Sequence, residues 1–217
     1  MNRSVQPRSR KTRLLSLLPA RVVTTRARSS RKTLHLTFDD GPHPEFTPAV
    51  LDLLKAHGAT ATFFLIGNRI DGHPELVRRI VAEGHALGNH SWSHPLMGNL
   101  PLPAQIEEIA RTDAALSPYS GRGTHPFRPP CGALPANLLL HFARTGRTVA
   151  LWSYDSHDYE PLPAPTLLAH IHANPPRPGD TVLMHDDNAT TVDLLGTLLP
   201  QWRANGLELR AMPRGRG

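Results

Sequence analysis

The stretch TLHLTFDDGP, residues Thr33 to Pro42, decides the reading of the chain. Thr33 to Phe38 reads as a strand, and Asp39-Asp40-Gly41-Pro42 ends it. Two adjacent carboxylates repel one another, and burying either without compensation is costly. Taken alone the four residues read as a turn, since Asp and Gly-Pro are common turn formers. Their surroundings argue for more. Outward from this point strand-like runs recur at Thr60 to Ile66, His85 to Gly88, Phe127 to Pro129, Thr148 to Ser153, Thr181 to His185 and Leu207 to Met212. Helical patterns lie between them. Pro48 to His57 has Thr47 as its N-cap and Gly58 past its end. Pro74 to Glu83 repeats the device, and Pro103 to Leu116, Pro135 to Thr145, Leu162 to Ala173 and Thr191 to Ala204 complete the set.

Strand–helix alternation of this regularity predicts a parallel α/β sheet, because parallel neighbours need a crossover that is usually helical. Seven strands with helices between them build either an open doubly wound sheet or a (β/α) barrel. In both, ligands bind at the carboxyl ends of the strands. The unusual polar residues follow those ends: Asp39-Asp40, His90, Arg128, Asp155 with Asp158, and His185.

Composition excludes several classes. With 217 residues, 39% of them hydrophobic and 19% charged, the chain reads as one globular domain with a proper core. No apolar run reaches the roughly 18 residues of a membrane-spanning helix. The single cysteine, Cys131, excludes an internal disulfide framework and a multi-cysteine zinc module. The net charge of +6 is unevenly placed: residues 1–32 carry ten Lys/Arg and no acid, and the remainder carries fourteen against eighteen Asp/Glu. Three parts are therefore expected: a poorly ordered basic arm over 1–32, one domain over 33–212 and a loose tail over 213–217. The arm suits an anionic membrane surface. It has no aromatic residues among its charges, which argues against nucleic acid as a partner. Its apolar stretch Leu14 to Leu18 is short, broken by Ser16 and followed by Pro19 and more arginines, unlike a signal peptide. The expected location is the cytoplasm or the membrane periphery, with the cell envelope as the alternative; the oligomeric state is left open.

His90-Ser91-Trp92-Ser93-His94 places two histidines four apart, where they face the same way on a helical turn. Among thirteen histidines, roughly one such pair arises by chance, so the spacing proves little alone. A carboxylate joined to two imidazoles is another matter: it is a facial triad that leaves coordination positions open, as a catalytic metal requires. That grouping needs a fold that brings residues 40 and 90 together.

With these motifs in view, the chain resembles the NodB-homology polysaccharide deacetylases, carbohydrate esterase family 4, from about Thr33 to Met212. The motif TFDDGP is intact at Thr37 to Pro42 and H-S/T-x-x-H at His90 to His94. R-x-P-Y appears as Arg128-Pro129-Pro130-Cys131, with cysteine in the tyrosine position. D-x-x-D-W appears as Asp155 to Tyr159, with tyrosine for tryptophan, and L-x-H is Leu183 to His185. The resemblance implies a distorted (β/α)7-type barrel. It also implies one divalent metal ion, zinc foremost with cobalt or another transition metal as alternatives, held by Asp40, His90 and His94. Asp39 becomes the general base steered by Arg128, and His185 the general acid paired with Asp158. The backbone N–H of Cys131 is placed on the oxyanion, a role that survives the change of side chain. Leu183 and Tyr159 wall the acetyl pocket, with Pro129 beside the substrate. The implied activity is removal of N-acetyl groups from amino-sugar residues of a polysaccharide or oligosaccharide of peptidoglycan or chitin type. The alternatives are an O-acetyl ester, a formylated lipid-linked sugar, or a silent carbohydrate-binding module on the same fold. His43 and His125, near the motif loops, read as surface loop residues, and several other histidines lie on or beside helices and need no functional role.

Overall fold

In the computed structural model, which describes residues 23–26 and 32–213, β2 (Thr33–Asp39) is the hub of the sheet. It pairs in parallel with β3 (Thr62–Leu65) and with β7 (Thr181–His185), and at its start with β8 (Glu208–Arg210). Beyond β3 lies β4 (Ala86–Asn89), and beyond β7 lies β6 (Tyr154–Asp155), again in parallel register. A second pair, β1 (Val23–Thr24) with β5 (Val149–Ala150), stands apart. Phe127 bridges the two sheets, to Asn89 on one side and Val149 on the other, and Arg26 bridges to Asp180. The ring of strands is thus a distorted barrel, closed in places by single bridges.

The crossovers are α1 (Phe46–Ala56), α2 (Gly67–Ile70), α3 (Pro74–Ala82), α4 (Leu102–Ser120), α5 (Ala136–Thr145), α6 (Ala164–Ala173) and α7 (Ala189–Ala204). Period-two alternation sorts β2 into two faces. Leu34, Leu36 and Phe38 join the main apolar core with Val50, Leu51 and Leu54 of α1 and Leu194, Leu195 and Leu198 of α7. Thr33, His35, Thr37 and Asp39 point the other way, into a polar barrel interior. A smaller core of Val23, Ile109, Phe127, Leu138, Phe142, Val149 and Leu151 sits under the second pair.

Several expectations change. The run Phe127 to Pro129 is reduced to bridges, because its flanking prolines Pro126, Pro129 and Pro130 offer no ladder N–H. The expected strand Thr148 to Ser153 is the two-residue β5, and the chain then re-enters the sheet as β6. Thr47 lies inside α1 rather than capping it; its hydroxyl is turned to Asp186, and the N-cap position is Glu45. The strand Val23–Thr24 falls within the segment read as an arm, with Val23 buried against β5. The rest of that arm, residues 1–22 and 27–31, lies outside the described residues, as does the tail over 214–217.

Candidate metal centre

Among the described residues, five non-glycine residues have positive φ, namely Asp40, Ser91, His94, Cys131 and His157. All five fall in the loops that follow the strands or in the turn after Arg128. Side chains disfavour this region, so such conformations persist where surrounding structure holds them. At the end of β2 the Arg69 guanidinium donates to the Asp40 carbonyl, and Gly41 lies against Asp186. A Cβ on Gly41 would come within 2.3 Å of its carboxylate, so the residue after Asp40 has to be glycine. Burial, with the charges of Asp187 and Asp40 adding to it, pushes the Asp186 carboxyl up to about 7, although the Thr47 hydroxyl bond works against the rise.

Asp40, His90 and His94 converge. The Oδ1 atom of Asp40 lies 3.3 Å from His90 Nε2 and 3.3 Å from His94 Nε2, and the three ligand atoms lie within 4.8 Å of one another. His90 Nδ1 is 2.8 Å from the Arg128 carbonyl, which fixes the proton on Nδ1 and frees the Nε2 lone pair. Burial alone would raise the Asp40 carboxyl, but contact with His90 and the charges of His94 and His185 bring it down to about 2. Burial lowers the His94 imidazole, favouring the neutral form that a metal ligand needs. Asp40 Oδ1 is buried and has no hydrogen-bond donor. An orphaned carboxylate oxygen between two imidazole nitrogens fits a three-ligand divalent metal site with open positions.

Beside this cluster Arg128 is fully buried, its Nη1 2.7 Å from Asp39 Oδ1 and 2.8 Å from Thr37 Oγ1. Nε donates to the Ala150 carbonyl at 3.1 Å, and the guanidinium lies 4.0 Å over the Phe64 ring. Gly88 makes room for that ring: a Cβ there would come within 2.3 Å of Phe64. Asp39 Oδ2 stands 3.7 Å from His90 Nε2, beside the Asp40–His90–His94 cluster.

Across the site, His185 Nδ1 is 2.9 Å from Asp158 Oδ1, and the His185 backbone N–H donates to Asp158 Oδ2 at 2.7 Å. Thr191 Oγ1 donates to the same oxygen. Burial would lower the imidazole, but the bond and charge of Asp158, with Asp39 and Asp40 behind it, raise it to about 9. The Tyr159 ring stands edge-on to His185 at 5.4 Å and is 54% exposed, on the rim. Leu183, two residues before His185 on β7, is buried yet absent from both apolar cores, which places it on the barrel's inner face. Pro129 is buried, and Cys131 is exposed on the 3-10 turn Pro130–Gly132. Among the described residues Cys131 supplies no ligand atom to the cluster.

Sequence reading missed supporting residues whose partners are distant in the chain. Asn89 Nδ2 donates to Asp113 Oδ1 and its Oδ1 accepts from Ser91 N–H. Glu108, on α4, bonds the loop between the two histidines. His125 is not a surface residue: it is buried, 3.1 Å from Asp113, which also pairs with Arg147. His43 is half-buried, and its ring accepts from the N–H groups of Glu45 and Phe46 at the start of α1.

The polysaccharide deacetylase family profile matches residues 26–150. The chain is 35% identical to a Bacillus cereus peptidoglycan-N-acetylglucosamine deacetylase over 82% of its own length and 66% of that protein's. It spans 38% of a second relative, the peptidoglycan-N-acetylmuramic acid deacetylase PdaC of Bacillus subtilis, at 34% identity over 83% of its own length. A chitooligosaccharide deacetylase of Azorhizobium caulinodans is 32% identical over 87% of this chain and 96% of its own. In structure the fold matches the crystal structure of the peptidoglycan N-acetylglucosamine deacetylase Bc1960 with a TM-score of 0.82 at 32% identity, covering 88% of this chain and 91% of that one. Profile, relatives and fold agree, and the chain belongs to the polysaccharide deacetylase family.

Proposed function

We propose that the protein is a metal-dependent hydrolase that removes N-acetyl groups from amino-sugar residues of a peptidoglycan- or chitin-type polymer. The observation that carries this reading is the convergence of Asp40, His90 and His94 between the Asp39–Arg128 and His185–Asp158 pairs. The names of the relatives, two deacetylases of N-acetyl sugars in peptidoglycan and one of chitooligosaccharide, support the substrate class. When bound by Asp40, His90 and His94, a divalent ion, zinc by the character of these donors, supplies a Lewis acid for the amide carbonyl and an acidified water.

The chain's own residues do the rest. Asp39 accepts the proton of the attacking water, and Arg128 compensates its buried charge and fixes its direction. The backbone N–H of Cys131 donates to the oxyanion, a contribution that its side chain does not alter. His185, kept cationic by Asp158, gives its proton to the amine nitrogen as the C–N bond breaks. Leu183 and Tyr159 bound the space for the acetyl methyl group, and Pro129 shapes the adjoining wall. The products are acetate and the free amino sugar.

The test is acetate release from N-acetylglucosamine oligomers by metal-loaded protein, with O-acetylated xylan as the comparison. Release from the oligomers that is abolished by a chelator and restored by zinc or cobalt supports the reading. Release from the ester alone replaces it with an esterase.

A further inference from the structure

The two histidine ligands are held in different ways. His90 sits at the end of β4, its side chain is 3% exposed, and its ring is tied to the Arg128 carbonyl. His94 stands at the far end of the 91–94 loop, with a side chain 30% exposed. Its φ is 57°, and Ser91 has a φ of 68°. Two left-handed residues that carry side chains make a loop that does not keep its shape unaided.

Glu108 supplies the restraint. From the side of α4, its Oε2 accepts from Trp92 N–H at 2.9 Å and Ser93 N–H at 2.8 Å, and its Oε1 accepts from Ser93 Oγ at 2.9 Å. One carboxylate thus takes three hydrogen bonds from two of the three residues between the histidines. Neighbouring contacts act in the same direction. Ser91 Oγ accepts from His94 N–H at 3.1 Å, and the Arg111 guanidinium stacks on Trp92 at 4.1 Å.

We infer that Glu108 is a positioning residue that sets the aim of His94 at the metal, and so part of the protein's affinity for the ion. This rests on the reading that Asp40, His90 and His94 bind that ion. Glu108 is half-buried on a long helix and does not belong to either apolar core, so its replacement leaves the packing of the fold in place.

The decisive feature is reach rather than charge. A glutamine at 108 keeps the whole pattern: its carbonyl accepts both backbone N–H groups, and its amide donates to Ser93 Oγ, whose hydroxyl reverses role. An aspartate keeps the charge but is one methylene too short.

The experiment is zinc titration against a chromophoric chelator, with the visible spectrum of the cobalt-loaded protein as a second readout. It uses the wild-type chain, Glu108→Ala, Glu108→Asp and Glu108→Gln, with circular dichroism of the metal-free forms. The expected result is about 10-fold or greater loss of affinity in Glu108→Ala and Glu108→Asp with an altered cobalt spectrum, and wild-type behaviour in Glu108→Gln. Wild-type affinity and spectrum in Glu108→Asp overturn the inference, as does a loss in Glu108→Gln equal to that in Glu108→Asp. Failure of the wild-type chain itself to bind zinc refutes the underlying metal-centre reading instead, and the inference with it.

Discussion

The guanidinium of Arg128 is bonded at 2.7 Å to the Asp39 carboxylate, in an environment that leaves the arginine no solvent exposure. Neither charge can lose the other without being left buried and uncompensated in the polar barrel interior. The same arginine fixes His90 through its backbone carbonyl, so one residue holds both the Asp39 carboxylate and the His90 ring.

Arg128→Met leaves Asp39 buried without its counter-charge. Breaking a buried pair from one side costs about 3–5 kcal/mol. Urea unfolding is expected to show a loss of that size, and the double variant Asp39→Asn/Arg128→Met is expected to recover a large part of it. A single variant as stable as wild type contradicts the pairing.

Asp39→Asn removes the proposed proton acceptor but keeps the amide hydrogen-bonded to Arg128 through its oxygen. Turnover of an N-acetylglucosamine oligomer is expected to fall by about 10²–10⁴-fold, with one zinc still bound per chain. Metal analysis beside the kinetic assay checks both parts. Loss of the ion together with activity places Asp39 among the ligands instead.

His185 in the metal-free protein is expected to titrate near the raised value of about 9. The sign follows from linkage: a folded-state value above the ordinary 6.5 gives stability that is complete below pH 6.5 and is lost as pH rises through about 9. Asp158→Asn removes the dominant cause of the rise. NMR of the imidazole is expected to show a midpoint clearly lower than in the wild-type chain, since burial is then opposed only by the charges of Asp39 and Asp40. An unchanged midpoint rules out Asp158 as the cause.

His85 behaves in the opposite sense. Its ring is buried, Nδ1 accepts from Ala61 N–H at 3.1 Å, and burial pushes it down to about 4. Protonation therefore favours the unfolded chain. Stability holds above pH 6.5 and falls as pH drops toward 4, by up to about 3 kcal/mol. Denaturant midpoints across that range are expected to flatten in His85→Gln, and an equally steep fall in the variant contradicts this.

What the sequence made legible was whatever local chemistry marks. Asp39-Asp40 and His90 with His94 follow runs readable as strands, Arg128 lies within one and His185 closes one, and the parallel α/β order brings the ends of those runs to one rim. Less legible were features set by distant partners. Val23–Thr24 is a strand because Val149 and Ala150 lie beside it, and two residues carry no period of their own. Thr47 looked like a cap because Pro48 follows it, whereas its hydroxyl is taken by Asp186, far along the chain. Glu108 is one acid among several on an amphipathic helix; only the folded loop at Trp92 and Ser93 distinguishes it.

The most direct measurement is zinc stoichiometry by equilibrium titration of chelator-stripped protein, compared with Asp40→Ala, His90→Ala and His94→Ala. One equivalent in the wild-type chain, with affinity lost by orders of magnitude in each of the three variants, is the predicted result. Full retention of tight, stoichiometric zinc in any two of them would contradict a centre built from these three side chains.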